Sequence, residues 1–528
     1  MLSNFRDLDF IKKIEVLTRI EKNKQTEYVS ELFDLYNNPT GDDSIDNIIE
    51  ETLRNLIVID INELKKRIIN GNEKEQIFCV KSSARFKLNE VIEELISLTE
   101  NDIDDKLRYE TLYALSELEN EKSLEVFKKH IGYKDKIIST LAIEMVGYFK
   151  DENSIVKLIG IINDGESEEN YKKCSIETAG AIDGLANFDT RESLIFFIKK
   201  IHHKNPTARR IIHEKITNKK SDSLPYLGKI FSMNNVDNKI MAANLIGRIG
   251  DKSGGDILFA VLDNKNEKDA NLRYAIYEAF GTIKSLKGLI CLSDALIEPD
   301  CLVLLSVIHS LDSQVNQSII DKIIDMVNKE DEQSINLIKA IIQTKSVNIF
   351  KKIYVLDKNV TDKMINQIIE SNDEDIIENF KNVVEELKTD RSVADLKKLS
   401  DTSTVSSEIN ILVVDDSKAM LMFYKNLGSE TGFNIYAAEN GAEALDIINR
   451  NGDINLIITD MNMPVMDGTE LTRNLKANDF TKDIPLIMAT TESDSSQIDI
   501  AKDSGVDHFI KKPFTKDFLF ETIIKYLL

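Results

Sequence analysis

Two patterns of apolar residues divide the chain. Up to about residue 390, apolar side chains recur at helical spacing and β-branched alternation is absent. Gly and Pro are scarce, 21 and 7 in 528 residues, so little interrupts a helix. The periodicity predicts consecutive amphipathic helices, beginning with Asp9–Ile20, Thr26–Tyr36 and Ser44–Val58. After about residue 409 the pattern becomes one of short apolar runs: Ile411–Asp416 (ILVVDD), Phe433–Ala438, Leu456–Pro464 (LIITDMNMP), Pro485–Thr490 (PLIMAT) and His508–Phe514 (HFIKKPF). Helix-like stretches separate and follow them, at Lys418–Glu430, Gly441–Arg450, Thr469–Ala477, Ser495–Ser504 and Lys516–Leu527. This alternation predicts a doubly wound α/β fold with a five-stranded parallel sheet. The runs are continuously apolar, as expected when helices cover both sheet faces.

The helical part repeats. LRYETLYALSEL at Leu107–Leu118 returns as LRYAIYEAFGTI at Leu272–Ile283. A five-residue signature (small or apolar, apolar, Gly or polar, any, apolar) occurs at Ala114–Leu118, Met145–Phe149, Ala181–Leu185, Leu245–Ile249 and Ala279–Ile283. Weaker copies lie at Val307–Leu311 and Ala340–Thr344. The spacing is 28–36 residues except for one gap of 64, which leaves room for a degenerate copy near Ile212. Polar bends such as Asp151 and Asp251 follow several copies, each leading into a second apolar helix. The pattern resembles short HEAT repeats, most closely over Leu107–Leu286. The resemblance implies helix pairs that cannot bury their faces alone and stack into a solenoid. Gly147, Gly247 and Gly281 are read as packing positions that let helices approach closely. Residues 391–408 separate the two patterns, with a short helix at Ser392–Leu399 and a Ser/Thr/Asp-rich tether at Ser400–Glu408. The expected organisation is a helical region over 1–390, a linker over 391–408 and an α/β domain over 409–528.

Chemistry concentrates at the carboxyl ends of the C-terminal strands, where open parallel α/β sheets place their sites. Asp415 and Asp416 end the first run, Asp460 the third, Thr490 the fourth and Lys512 the fifth. Successive spacings from Asp416 are 44, 30 and 22 residues. Clustered carboxylates need a compensating cation, and oxygen-only ligands select a hard divalent ion.

In order and spacing, these five positions resemble the receiver domain of two-component response regulators, over roughly Ile409–Leu528. The resemblance implies a flavodoxin-like fold in which Asp460 accepts a phosphoryl group from a histidine kinase. It implies that Asp415, Asp416, Asp460 and the backbone carbonyl of Asn462 hold Mg²⁺. Lys512 and Thr490 would stabilise the phosphoryl group, and Phe509 would move into space vacated behind Thr490. Pro513 would follow Lys512 through a cis peptide. Asn462 and Glu492 would flank the path of the hydrolytic water, a pairing similar to stand-alone chemotaxis regulators with a short-lived acyl phosphate. His508 is read as an exposed loop residue without a role.

Composition narrows the partners. The chain has 90 acidic against 67 basic side chains, a net charge of −23, which argues against general nucleic-acid binding. The basic clusters Lys199–Lys204 and Lys215–Lys220 read as solvated helix ends or loops. Cys79, Cys174, Cys291 and Cys301 are widely spaced, without a C-x-x-C pair, and read mostly as buried thiols in a reducing compartment. Charges interrupt the first residues before any signal-peptide core forms, and no apolar run reaches membrane-span length. The expected location is cytoplasmic.

The leading expectation is therefore a response regulator whose phosphorylation switches protein–protein interactions of the helical region, by way of a target not named by the sequence. The receiver would catalyse only its own phosphorylation and dephosphorylation. No DNA-binding or cyclase-like output is expected beyond it. A constitutive scaffold, with the receiver as docking site or phosphate sink, is the alternative. A lyase or base-repair activity lacks a suitable residue cluster. A haloacid-dehalogenase-like phosphatase would carry its nucleophile after the first strand, in an Asp-x-Asp motif.

Overall fold

A computed structural model describes residues 2, 4–167, 175–263, 268–371, 373–400, 409–491, 495–512 and 514–527. The chain forms two compact units. One comprises Met1–Gly165 with Ser175–Thr190, the other Glu166–Cys174 with Arg191–Leu528.

The first unit is helical among its described residues. The three leading helices settle at Phe10–Lys22, Val29–Asn37 and Asp43–Ile57, with a 3₁₀ turn at Thr26–Tyr28 before the second. Acidic and amide side chains start six helices of this unit: Asp9, Asp42, Asp60, Asn72, Asp104 and Asp135 each accept a backbone N–H of the first turn. These donors have no intrahelical partner, so the caps set where each helix begins. The helices Glu73–Arg85, Asp105–Leu118, Lys136–Tyr148 and Ile176–Asn187 pack each against the next. The repeat signatures at Ala114, Met145 and Ala181 lie on the last three, and these residues are buried. Gly147 is where two of these helices come closest. A Cβ there would run into the Gly184 backbone, so any side chain would push the helices apart.

The second unit shows the same pattern. Helices Pro206–Asn218, Val236–Ile249, Ala270–Ile283, Cys301–Asp312, Glu332–Gln343 and Lys358–Glu370 each pack on the next. The copy expected near Ile212 is the first of these, with Ile212 fully buried. Gly247 and Gly281 sit at close approaches, where a Cβ would meet Ala279 Cβ at 2.9 Å and Ser310 Oγ at 2.6 Å respectively. A short helix at Ser392–Ser400 closes the series. The rest of the expected tether, from residue 401, lies outside the described residues.

The same unit contains a five-stranded parallel sheet: β1 (Asn410–Val414), β2 (Asn434–Ala438), β3 (Leu456–Asp460), β4 (Leu486–Thr490) and β5 (His508–Lys511). The strand order is β2-β1-β3-β4-β5. Register pairs Val414 with Thr459, Asp460 with Ala489 and Thr490 with Lys511. Strands β3 and β4 are buried along their whole length, which accounts for their unbroken apolar sequence. The connection reverses between β1 and β3, and a crevice opens at the carboxyl ends of those two strands.

Two expectations change. Of the three described cysteines only Cys79 is buried; Cys291 is half-buried and Cys301 exposed, because it occupies the first position of its helix. Cys174 lies outside the described residues. The basic stretch at 199–204 is not simply solvated: His203 is fully buried and Lys200 pairs with Glu166.

The close glycine pair yields a test. Gly147→Val should lower the unfolding free energy by about 1–3 kcal/mol in urea denaturation, the usual cost of overpacking. Gly160, in the helix Ile155–Asp164, is the opposite case, because a Cβ added to it would meet nothing within 4 Å. Gly160→Ala should raise stability by about 0.5–1 kcal/mol through helix propensity.

Candidate phosphoacceptor site

The strand order brings the expected groups together. Asp415 follows β1 and Asp460 ends β3, so neighbouring strands deliver their carboxylates to one crevice. Lys512 follows β5, and its backbone N–H donates to the Thr490 carbonyl at 2.8 Å, fixing its start beside β4. From there the side chain reaches back across the sheet edge. Its Nζ donates to Asp415 Oδ2 at 2.5 Å and to Asp460 Oδ1 at 2.8 Å. Lys512 is only 7% exposed and Asp415 only 2%.

Electrostatics follow from that burial. Loss of solvent raises the Asp415 carboxyl well above the usual carboxylate range; the Lys512 ammonium works against the rise, and Asp460 and Asp416 add to it. Burial alone would weaken the Lys512 ammonium, but the Asp415 and Asp460 carboxylates reverse this and hold its proton far more tightly than usual. The remaining carboxylate oxygens are also engaged. Asp415 Oδ1 accepts the Ser417 N–H at 3.0 Å, and Asp460 Oδ2 accepts the Asn462 N–H at 2.8 Å.

The loop after Asp460 is tightly folded. Gly468 begins the next helix against Asp460 itself, where a Cβ would collide with the Asp460 carbonyl oxygen. Val465 has φ +66° and is spanned by a Met466 N–H to Pro464 carbonyl bond of 2.7 Å. That is a γ-turn of the rare positive-φ kind, here on a β-branched residue.

Thr490 ends β4 fully buried, and Thr491 rather than Thr490 lines the crevice. Phe509 is half-buried on β5 against Met461, Met488 and Ala501, a cluster joining the residue after Asp460 to the helix Ser495–Ser504. His508 is half-buried and packs at a tilt against the Tyr526 ring, so it is less exposed than expected. Glu492 and Pro513 lie outside the described residues.

The sequence does not reveal the other wall of the site, which the helical region provides. A cavity of about 140 Å³ lies over the carboxylates, lined by Arg209, Arg248, Glu278, Asp415, Asp460 and Lys512 among others. Arg248 donates to Asp416 Oδ2 at 2.6 Å, and Arg209, itself 1% exposed, donates to Asn462 Oδ1 at 2.5 Å. Ser417 donates to Glu278 at 2.9 Å and also contacts the Tyr274 hydroxyl. Burial, reinforced by Asp416, pushes the Glu278 carboxyl up to about 7. One signal of this wall was visible. Among the seven signature copies, the fourth position is Glu117, Tyr148, Gly184, Arg248, Thr282, Ser310 or Gln343, and only Arg248 is cationic.

The donor set expected from the sequence, Asp415, Asp416, Asp460 and the Asn462 carbonyl, offers only oxygen, which would suit a hard divalent cation. Among the described residues, however, no three acidic, His or Cys side chains converge closely enough to hold a metal. Lys512 stands between Asp415 and Asp460, and Arg248 draws on Asp416. Two nitrogen cations thus supply charge that three neighbouring carboxylates require.

Sequence comparison agrees with the geometry. The profile of the "Response regulator receiver domain" family matches residues 411–524. The chain is 40% identical over 116 residues to the chemotaxis protein CheY homolog of Campylobacter jejuni, covering 22% of this chain and 89% of that protein. It is likewise 40% identical over 116 residues to chemotaxis protein CheY1 of Helicobacter pylori, covering 22% and 94%. The solved structure of the chemotaxis response regulator CheY4 of Vibrio cholerae aligns at 29% identity and TM-score 0.22, over 23% of this chain and all of that one. The chain belongs to the response regulator receiver family, the phosphoacceptor switches of two-component signalling, by virtue of its C-terminal segment. No helix among the described residues is long and apolar enough to cross a membrane.

Two stability tests follow. Lys512→Met leaves two buried carboxylates without their cation and should cost about 3–5 kcal/mol in urea unfolding. Val465→Gly relieves the positive φ and should stabilise by about 1 kcal/mol, read from the same transition.

Proposed function

We propose that the protein is a response regulator in which Asp460 accepts a phosphoryl group from a histidine kinase. The observation that carries this reading is the sharing of one buried ammonium, Lys512, by Asp415 and Asp460. A carboxylate can attack phosphorus only if the negative charge gathering around it is neutralised. Asp460 Oδ1 and Oδ2 lie at the crevice with Lys512 alongside, so an ammonium is already aimed at the point where that charge would build. Attack by one Asp460 oxygen forms the new O–P bond as the bond from phosphorus to the donor nitrogen breaks, and the donor histidine leaves with that electron pair.

Asp415, Asp416, Asp460 and the Asn462 carbonyl would hold Mg²⁺. When bound, the ion would neutralise carboxylate and phosphoryl oxygens together. Thr490 would donate its hydroxyl to the phosphoryl group. Phe509 would then repack, by shape alone because it has no hydroxyl. Asn462 and Glu492 would tune loss of the phosphoryl group to water, and the peptide before Pro513 would be cis.

The helical region, residues 1–390 in HEAT-like repeats and joined through 391–408 to the receiver at 409–528, would be the output. Its protein contacts would change with phosphorylation. The receiver would act on no substrate beyond itself, and the setting would be the cytoplasm. The direct contact of Arg209, Arg248, Tyr274 and Glu278 with receiver residues favours a coupled output over an independent scaffold.

Incubation with a small phosphodonor such as acetyl phosphate tests the reading. The wild-type chain should gain one phosphoryl group by mass spectrometry with Mg²⁺ present and none with EDTA, and Asp460→Asn should gain none. Equal labelling of Asp460→Asn would refute Asp460 as acceptor. After donor removal the label should decay within seconds to minutes; persistence for hours would refute the tuning assigned to Asn462 and Glu492.

A further inference from the structure

The wall that the helical region places over the carboxylates mixes polar and apolar contacts, with Tyr274 and Leu302 packed against the buried cluster that contains Ile411, Val413 and Met420. Besides the contacts of Arg209, Arg248, Tyr274 and Glu278, Thr207 donates to Asp467 at 3.1 Å and Asn271 donates to the Lys512 carbonyl at 3.3 Å. Beside this layer lies a cleft of about 650 Å³, half open to solvent and lined by Arg248, Glu278, His309, Asp312, Asp416 and Lys418 among others. Ion pairs and hydrogen bonds mixed with apolar packing, bordering an open cleft, resemble the interface between separable domains.

The two cations at the site differ in how they are held. Lys512 is 7% exposed and lies just beyond β5, so it belongs to the sheet it neutralises. The Arg248 side chain is 38% exposed and stands on the helix Val236–Ile249, 168 residues away in sequence from Asp416. Its guanidinium takes Asp416 Oδ2, an oxygen of the expected metal-binding set. Arg209 at the same time takes the side chain of Asn462, whose carbonyl belongs to that set.

We propose that Arg248 and Arg209 are positioning residues of the phosphoacceptor site supplied by the helical region, and that Arg248 competes with the divalent cation for Asp416. This rests on the receiver reading given above. A guanidinium and a dication on one carboxylate would set like charges side by side with little water between them. Metal loading therefore displaces Arg248, and loss of Arg248 eases metal loading. The linkage is reciprocal: what the helical contact costs the metal, the metal costs the helical contact. Magnesium entry thereby loosens the helical wall before any phosphoryl group arrives, opening the crevice to a donor.

Calorimetric titration of the full chain with Mg²⁺ tests this, using the wild type, Arg248→Ala and Arg248→Lys. Arg248→Ala should bind Mg²⁺ about fivefold more tightly, the strength expected of a part-exposed ion pair, and Arg248→Lys should stay near the wild type. A merely structural arginine would leave the affinity unchanged or weaken it on removal. In the wild type, Mg²⁺ should also speed amide hydrogen exchange in the helices Val236–Ile249 and Ala270–Ile283, a readout that needs no variant to fold. Equal or weaker Mg²⁺ binding by Arg248→Ala, or exchange unaltered by Mg²⁺, overturns the competition while leaving the receiver reading intact. Absence of Mg²⁺ binding in all three proteins overturns the metal-dependent receiver reading itself.

Discussion

Charge compensation at one edge of a sheet organises the second unit. Parallel strands with their carboxyl ends together bring Asp415, Asp416 and Asp460 into one crevice, and such a group cannot stay ionised in a dry setting without cations. Lys512 answers part of the need from within the domain, and its path explains much of the local structure. Its N–H bonds to the end of β4, its carbonyl accepts from Asn271, and its ammonium bridges the two carboxylates. Strand register, helix contact and acceptor geometry all pass through this residue.

The rest of the need is met from the helical array. Its inner helices stack by apolar faces and close glycine contacts, which leaves exposed positions unconstrained by packing. Arg248 occupies one such position, beside Gly247, where the missing Cβ brings the neighbouring helix near. A repeat optimised for stacking can thus carry a site residue at no cost to its core. Arg209 is the opposite case, a guanidinium buried almost completely among the same helices, with Asn462 as one of its partners.

What could be read from the sequence follows the same division. Continuous apolar runs ending in Asp, Thr or Lys identified the strands that carry the site, because burial on both faces and chemistry at the strand ends leave local traces. The helices among and after the strands matched to within one residue at either end. Ser417, Asn440 and Asp467 cap three of them, and such caps are local signals too. The copy near Ile212 could be anticipated from a gap in the period. The helical wall over the carboxylates could not. Arg209, Arg248, Tyr274 and Glu278 reach the receiver through contacts 139 to 253 residues long in sequence, a separation that leaves no local trace; Arg248, Tyr274 and Glu278 moreover hold exposed or half-buried positions outside the apolar period, and Arg209, though buried, is polar. Only the lone cation among the signature copies hinted at it. The mixed burial of Cys79, Cys291 and Cys301 escaped the sequence for a similar reason, because helical context does not say which face meets the core.

The Arg248–Asp416 pair joins two positions of a single polypeptide. Its association is therefore unimolecular, governed by an effective local concentration rather than by how many copies of the protein a cell holds. Dilution or overexpression leaves its equilibrium unchanged. A separate inhibitor protein would instead have to be matched in amount to its target. Here the stoichiometry is fixed at one to one by covalent linkage.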